Sequence, residues 1–169
     1  MILREYGNRC GYKVYPVSMG TMRFPDDVLD AVALVRHAID SGMRYIDTSR
    51  GYRDAEYILG LALRDGYREK VILSTKWAPW IKKVREDDQP TADRVRRRID
   101  ESLMRLDVEY LDFFQIWNIN SPEAWEQATC RGGMVDGIRK AVDEGLVRHT
   151  GMTTHEDPQK LTAYLEQAE

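Results

Sequence analysis

The chain alternates between short apolar runs rich in β-branched residues and longer segments in which apolar residues recur three or four positions apart. Runs of the first kind are typical of buried strands, and segments of the second kind are typical of amphipathic helices. The expected strands are residues 17–20, 44–47, 71–76, 111–116 and 147–152. Because a helical segment follows each strand, the order predicts five consecutive βα units and a parallel sheet.

Polar residues mark where several of these helices begin. Asp54 and Thr91 stand just before helical segments, and their side chains can accept hydrogen bonds from the first N–H groups of a helix. Asp157 and Pro158 open the last helix with an N-cap residue and a first-turn proline. The expected stops are Gly42, Gly66 and Gly145. These boundaries support the division into βα units.

Five βα units fit either a doubly wound open sheet or part of a (β/α)8 barrel. A doubly wound nucleotide-binding sheet usually has a glycine-rich turn after its first strand, and residues 19–22 do not form one. We therefore expect an α/β fold of the TIM-barrel type that is incomplete, with about five of the eight units. The expected organisation is a single partial barrel domain over residues 1–169. Functional residues should lie at the carboxyl ends of the strands.

Composition narrows the class of protein without changing this architecture. The 169 residues are 43% hydrophobic and 31% charged, and the formal net charge is −3. Such a chain has no electrostatic reason to bind nucleic acid or an anionic membrane. Cys10 and Cys130 stand alone, so neither a disulfide framework nor a metal site is expected. No apolar run resembles a signal core or a membrane span, which leads us to expect a cytoplasmic protein.

Three residues at strand ends suggest acid catalysis. Asp47 ends the second expected strand, Tyr52 follows in the next loop, and Lys76 ends the third strand. A phenol is a weak acid with a reference pKa of about 10, and a nearby ammonium stabilises the phenolate form. A carboxylate paired with the lysine would hold it in place. Spacing alone leaves another interpretation open, in which Asp47 caps a loop and Lys76 is a surface charge.

Sequence motifs along the chain resemble those of the aldo-keto reductase family. Residues 45–52, followed by Glu56, are similar to the signature in which an Asp-Thr pair precedes the catalytic tyrosine, and residues 74–76 are similar to the strand with the catalytic lysine. Residues 100–115 and 147–151 resemble the signatures of the family's third helix, fourth strand and fifth strand. The pattern is closest to the members that carry a ferredoxin-like iron–sulfur tail, but no cluster is predicted for this chain.

The resemblance implies a fold, an activity and a set of site residues. It implies an oxidoreductase that reduces an aldehyde or ketone to an alcohol with NADPH, and a small carbonyl compound as substrate. The implied catalytic residues are Asp47, Tyr52 and Lys76. The implied cofactor-binding residues are Gly20, Thr21, Met22, Asp47, Thr153 and Thr154. No metal is implied.

The sequence departs from the family pattern at the end of the fourth strand. The family usually has a histidine two residues after the glutamine at position 115, where this chain has Trp117 followed by Asn118. The indole N–H of Trp117 can donate a hydrogen bond to a substrate but cannot titrate. Asn118 is the alternative donor, provided that a bulge shifts the strand end by one residue. Trp117 could instead simply fill the barrel mouth, or line an apolar substrate pocket with Trp77 and Trp80.

The number of units is a second departure from the family. A full barrel has eight units and about 250 residues, so the last three strands of the family's barrel have no counterpart here. In the family those strands carry the aromatic residue that stacks on the nicotinamide and the basic residues that bind the 2′-phosphate. The open sheet edges are expected to favour self-association, and the isolated chain is expected to be weakly active or inactive. The alternative is a non-catalytic, aldo-keto-reductase-like protein with a binding or regulatory role.

Overall fold

The computed structural model describes residues 2–7, 10–81 and 88–167. Strands and helices alternate through most of this part of the chain. The strands are β1 (Arg4–Glu5), β2 (Lys13–Val14), β3 (Met19–Gly20), β4 (Tyr45–Asp47), β5 (Ile72–Trp77), β6 (Leu111–Ile116) and β7 (Val147–Met152). The α-helices are α1 (Val28–Asp40), α2 (Ala55–Leu63), α3 (Ala92–Leu106), α4 (Pro122–Thr129), α5 (Met134–Asp143) and α6 (Pro158–Gln167). A 3-10 helix covers Arg68–Lys70.

The five strands β3 to β7 form one parallel sheet in chain order. Each consecutive pair is joined through at least one helix, which confirms the predicted βα units and the incomplete barrel. The register brings Asp47 opposite Ser74, and Lys76 opposite Gln115. Because Asp47 ends β4, and Lys76 and Gln115 are the second-last residues of β5 and β6, these three side chains lie near the carboxyl ends of neighbouring parallel strands.

The main hydrophobic core lies between the sheet and the helices. Its side chains are the apolar positions of the helical segments and every second residue of the strands. Fully buried members include Val35, Ile46, Leu59, Leu73, Trp77, Ile99, Phe114 and Ile138. The Asp27 and Thr91 side chains cap α1 and α3 by accepting hydrogen bonds from Leu29 N and Arg94 N. Caps and core together fix α1 and α3 against the sheet, whereas Asp54, expected to cap α2, makes no side-chain hydrogen bond to that helix.

The amino-terminal hairpin of β1 and β2 was not predicted. Its antiparallel strands have two residues each, which is too short for a recognisable alternation of apolar and polar residues. Tyr6 and Tyr12 from this region pack against Phe113, with ring centroids 5.5 and 5.9 Å away. The hairpin therefore covers one end of the inner face of the sheet, where Tyr45, Ile72 and Phe113 form a second small cluster.

The sheet has two terminal strands in the described part of the chain, β3 and β7. The far side of β7 pairs with no strand among the described residues, and Thr150 and Gly151 are exposed there. Within the same residues, no helix has the length and apolar character needed to cross a membrane.

Candidate active site

A buried lysine and an aspartate pair where β4 and β5 end. The Lys76 ammonium contacts the Asp47 carboxylate and donates a second hydrogen bond to the Thr48 carbonyl at 2.9 Å. Lys76 is only 4% exposed, although an ammonium group is costly to remove from water. A counter-charge and a carbonyl compensate for that cost. Lys76 is thus held in one orientation, and the interpretation as a surface charge is wrong.

The loop after β4 turns Tyr52 back towards this pair. The Lys76 Nζ atom lies 4.9 Å from the centroid of the Tyr52 ring. The turn is held by hydrogen bonds to β5 and within the loop: Ser49 Oγ and Arg50 N donate to the Lys76 carbonyl, and Tyr52 N donates to the Ser49 carbonyl at 3.1 Å. The three residues singled out from the sequence therefore lie together, at the carboxyl ends of the strands.

Trp117 completes this side of the site. Its ring meets Tyr52 edge to face, with centroids 5.2 Å apart and an interplanar angle of 85°. The close approach depends on Gly51, because a Cβ atom there would lie 2.6 Å from Trp117 Cζ3. The indole also lies 6.0 Å from Lys76 Nζ. Trp117 thus occupies the inner face beside Tyr52, as the alternation of side chains along β6 predicts.

Asn118 lies in a different environment from Trp117. Pairing of β6 with β5 and β7 runs without a shift through Ile116, so the bulge that would bring Asn118 inward is not present in β6. Asn118 has a left-handed backbone with φ of 65°. Its N–H donates to Thr153 Oγ1 at 2.8 Å, and its carbonyl accepts from Trp80 Nε1 at 3.0 Å. The geometry favours Trp117 over Asn118 as the residue nearest Tyr52.

A second set of polar side chains lies beneath the pair and was missed as part of the site. Gln115 donates to Ser74 Oγ at 2.6 Å, and its Nε2 atom lies 3.5 Å from Asp47 Oδ1. Tyr45 is the deeper neighbour, with its hydroxyl 3.4 Å from the same nitrogen. Burial raises the pKa of Tyr45 well above its ordinary value, so its phenol stays neutral. The alternation of inward positions could have identified Ser74 and Gln115, because each stands two residues from another inward residue.

The residues expected to bind a cofactor divide into two groups. Thr21 and Met22 line a cavity of about 650 Å³ together with Tyr52 and Trp117. Thr21 also donates to Thr48 Oγ1 at 2.7 Å, which fixes the β3 end against β4. Gly20 is exposed, and nothing lies within 4 Å of where its Cβ would be. The backbone after β3 is therefore open to a ligand that approaches the cavity.

Thr153 and Thr154 follow β7 and bind the residues after β6. Thr153 Oγ1 accepts from Asn118 N, and Thr154 Oγ1 donates to Asn120 Oδ1 at 3.3 Å. The structure uses both hydroxyls to join the ends of β6 and β7. Neither residue lines the cavity that contains Thr21 and Met22.

Of the three tryptophans expected to line a substrate pocket, Trp77 and Trp80 do not border the cavity beside Tyr52. Trp77 is 0% exposed and packs in the core between the sheet and α3, so the expectation that it lines a pocket is wrong. The reason is alternation: Lys76 faces inward, and the next residue must face the helices. Trp80 is half-buried, and its indole N–H lies 2.7 Å from the Trp117 carbonyl. Trp80 therefore holds the β6 end, while Trp117 alone borders the cavity.

The chain is similar to known reductases in sequence and in structure. The sequence profile of the Aldo/keto reductase family matches residues 16–168. A 6-dehydroglucose reductase of Novosphingobium aromaticivorans is 34% identical over 163 residues, covering 89% of this chain and 50% of that protein. The chain therefore spans about half the length of this relative.

Solved structures share the fold of this chain. An aldo-keto reductase from Bacillus halodurans in its holo form superposes with a TM-score of 0.79 at 23% identity, over 98% of this chain and 54% of that one. An aldo/keto reductase from Klebsiella pneumoniae, in complex with NADP and acetate, superposes with a TM-score of 0.72 at 28% identity, over 90% of this chain and 50% of that one. With the profile match over most of its length and the strand-end site described above, this chain belongs to the aldo-keto reductase family.

Proposed function

We propose that the protein reduces an aldehyde or ketone to an alcohol with NADPH, and that Tyr52 donates the proton. The observation that carries this proposal is the buried Lys76 ammonium, paired with Asp47 and 4.9 Å from the centroid of the Tyr52 ring. A carbonyl oxygen gains negative charge as it is reduced and needs a proton donor beside it. The arrangement supplies that donor at the end of the sheet where barrel enzymes carry their chemistry.

Each member of the site has a separate task in this proposal. Tyr52 gives its hydroxyl proton to the carbonyl oxygen, and the Lys76 ammonium stabilises the phenolate that remains. Asp47 and the Thr48 carbonyl keep the ammonium oriented. The indole N–H of Trp117 would provide a second hydrogen bond to the same oxygen. Only Tyr52 has to give up a proton in this mechanism.

The chain's own residues fit a nicotinamide cofactor on one side of the site. Thr21 and Met22 border the cavity of about 650 Å³ next to Tyr52, and the backbone at Gly20 is open. These three residues would contact the cofactor, with Asp47 behind them. NADPH would supply the hydride to the carbonyl carbon. The complex of the Klebsiella pneumoniae relative with NADP supports this choice of cofactor. Roles for Thr153 and Thr154 at the nicotinamide remain predictions.

NADPH binding can be measured in the 169-residue chain, and turnover in a barrel completed with the last three βα units of a relative, because the isolated chain is expected to be weakly active or inactive. We expect NADPH to quench the fluorescence of the four tryptophans, with weak affinity, because the strands that bind the 2′-phosphate in the family have no counterpart among these 169 residues. Tyr52→Phe should lower kcat with a panel of small aldehydes and ketones by about 100-fold or more, as expected when a general acid is lost. The NADPH affinity should change little, because the phenyl ring remains.

Tyr15→Phe is the matched control, since it removes a hydroxyl at the opposite end of the strands and should leave kcat unchanged. An unchanged kcat in Tyr52→Phe would show that the acid is another group. A completed wild-type barrel that shows neither binding nor turnover would contradict the proposal and would favour a non-catalytic role. The names of the relatives, which are reductases, favour the enzyme. The single domain, the cytoplasmic location and the absence of nucleic-acid and membrane partners stay predictions.

A further inference from the structure

Helix α3 contacts the loop that carries Tyr52 through two charged side chains. Glu101 on this helix accepts two hydrogen bonds from the Arg50 guanidinium, from Nε and Nη2, both at 3.3 Å. Arg50 stands two residues before Tyr52. Glu101 is itself held by Arg98, whose Nη1 donates to its carboxylate at 2.6 Å. The carboxylate therefore has a fixed position from which it holds the amino-terminal side of the loop.

A second residue of the same helix holds the other side of the loop. The Arg105 guanidinium donates from Nη2 to the Arg53 carbonyl at 2.7 Å. Arg53 directly follows Tyr52 and has φ of 52°, a left-handed conformation that is uncommon for residues other than glycine. A conformation of this kind persists when its surroundings hold it. The charged hydrogen bond from Arg105 is such a constraint.

A buried carboxylate fixes Arg105 and connects it to the strand of the lysine. Glu56 is 0% exposed, and its Oε2 accepts from Arg105 Nε at 3.0 Å. Its Oε1 accepts from Thr75 Oγ1 at 2.8 Å, and Thr75 is the residue before Lys76. One pair of charges thus touches both the loop of the proposed acid and the strand of the ammonium. A buried salt bridge has a desolvation cost that apolar residues in its place would not have, so a specific positional role is a reasonable explanation for this pair.

We propose that Glu101, Arg105 and Glu56 form a clamp that positions Tyr52 over Lys76 and against Trp117. Glu101 and Arg105 are four residues apart and so lie on the same face of α3, opposite the two sides of the loop. Only the catalytic consequence of the clamp depends on the proposed function. Its geometric consequence, the contact of Tyr52 with Trp117, exists in the chain itself. These three are positioning residues, because they act on the site through Arg50, Arg53 and Thr75.

The test follows the Tyr52–Trp117 contact by NMR in the 169-residue chain. Ring centroids 5.2 Å apart should give a cross-peak between the tyrosine ring and the indole, assigned with Tyr52→Phe and Trp117→Phe. Glu101→Gln and Arg50→Gln should each lose this cross-peak, because each removes the charge on one side of the same link. Arg50→Lys keeps the charge and should restore it. Glu56→Gln would alter a fully buried charge and could unfold the chain, so the test uses the half-buried Arg50–Glu101 pair instead.

Asp100→Asn is the matched control, since Asp100 neighbours Glu101 on α3 and accepts from Arg96 on the solvent side, away from the loop. It should keep the cross-peak. In an active chain, Glu101→Gln should lower kcat by about 10-fold with little change in KM, as expected for a misplaced catalytic group. A cross-peak of unchanged intensity in both Glu101→Gln and Arg50→Gln would overturn the clamp. If a completed barrel neither binds NADPH nor turns over, the proposed function fails, while the cross-peaks of the 169-residue chain still decide the clamp.

Discussion

Trp117 occupies a place where a donor to the substrate is expected, and its neighbours fix where the indole lies. Gly51 allows the ring to approach the loop, and Trp80 holds the Trp117 carbonyl from the other side. Tyr52 then presents its ring to the indole edge to face. With these constraints, the indole has a defined orientation beside the proposed acid. The glycine is required by the size of the indole, whether Trp117 donates to a substrate or fills space.

Substitutions at Trp117 separate a donor from a filler. Trp117→Phe should lower kcat about 10-fold to 100-fold if the indole N–H bonds to the developing charge, because such a bond is worth roughly 1.5–3 kcal/mol. Trp117→His supplies another donor and should keep the rate. Steady-state kinetics in a completed barrel, with the substrates that its wild-type form reduces, would measure both. An unchanged kcat in Trp117→Phe, together with a large loss in Asn118→Ala, would instead assign the donor role to Asn118.

Much of the site could be predicted residue by residue, because strand ends and alternation are local properties. Asp47 and Lys76 end neighbouring strands, and their pairing follows from the parallel order alone. The same alternation directs Trp77 towards the helices, so the expectation that it shares a pocket with Trp117 could have been rejected from the sequence. The position of Trp80 could not be predicted, because it depends on how the loop after β5 folds over the end of β6.

At the scale of an element, α3 combines packing with electrostatics. Its apolar face meets the sheet, and Glu101 faces the charged groups Arg98 and Arg50. Burial on its own would raise the pKa of Glu101, but the hydrogen bond from Arg98 and the charge of Arg50 outweigh burial and hold the pKa below its ordinary value. The folded state therefore binds a proton at Glu101 less readily than the unfolded chain does.

Acid should weaken the contacts of Glu101 with Arg98 and Arg50. A lowered pKa in the folded state stabilises the protein above the ordinary pKa of 4.5, and this stabilisation is lost as the pH falls below 4.5 and through the lowered value. Urea unfolding between neutral pH and that range should show a steeper loss of stability in the wild type than in Glu101→Gln. Asp100→Asn provides the comparison on the same helix. Parallel curves for the wild type and Glu101→Gln would contradict the assignment.

The elements that were predicted and those that were missed differ in length and in apolar content. The β5 and β6 strands have six residues each and clear apolar runs, so their positions followed from the sequence. The β7 strand also has six residues, but only Val147 and Met152 are apolar, and its position followed from the helix stop at Gly145 and from the resemblance to the family's fifth strand. The β1–β2 hairpin is too short to show a period. The α4 helix is half polar and buries only Ala128, so its segment has the pattern of a loop although Ser121 and Pro122 form a good start.

For the molecule as a whole, the edge of β7 that faces away from β6 has no pairing strand among the described residues. Thr153 N donates to the Ile116 carbonyl, so the alternating N–H groups of Met152 and Thr150 point away from β6. No strand accepts from that side among the described residues. Exposed edges of this kind are templates for pairing. Two copies related by a twofold axis would pair their β7 edges antiparallel, with the same residues on both sides.

We therefore expect the chain to self-associate through β7 in a concentration-dependent way, and a charge on this edge should prevent it. Thr150→Lys places an ammonium on the exposed edge, and lysines on edge strands oppose pairing. Thr162→Lys on α6 is the matched control, because it adds the same charge at an exposed threonine and also removes one hydroxyl-to-carbonyl bond. Sedimentation velocity over a range of concentrations should show dimers for the wild type and Thr162→Lys, and monomers for Thr150→Lys. Equal association of both variants would place the contact elsewhere, and a monomeric wild type at every concentration would show that the edge is protected in solution.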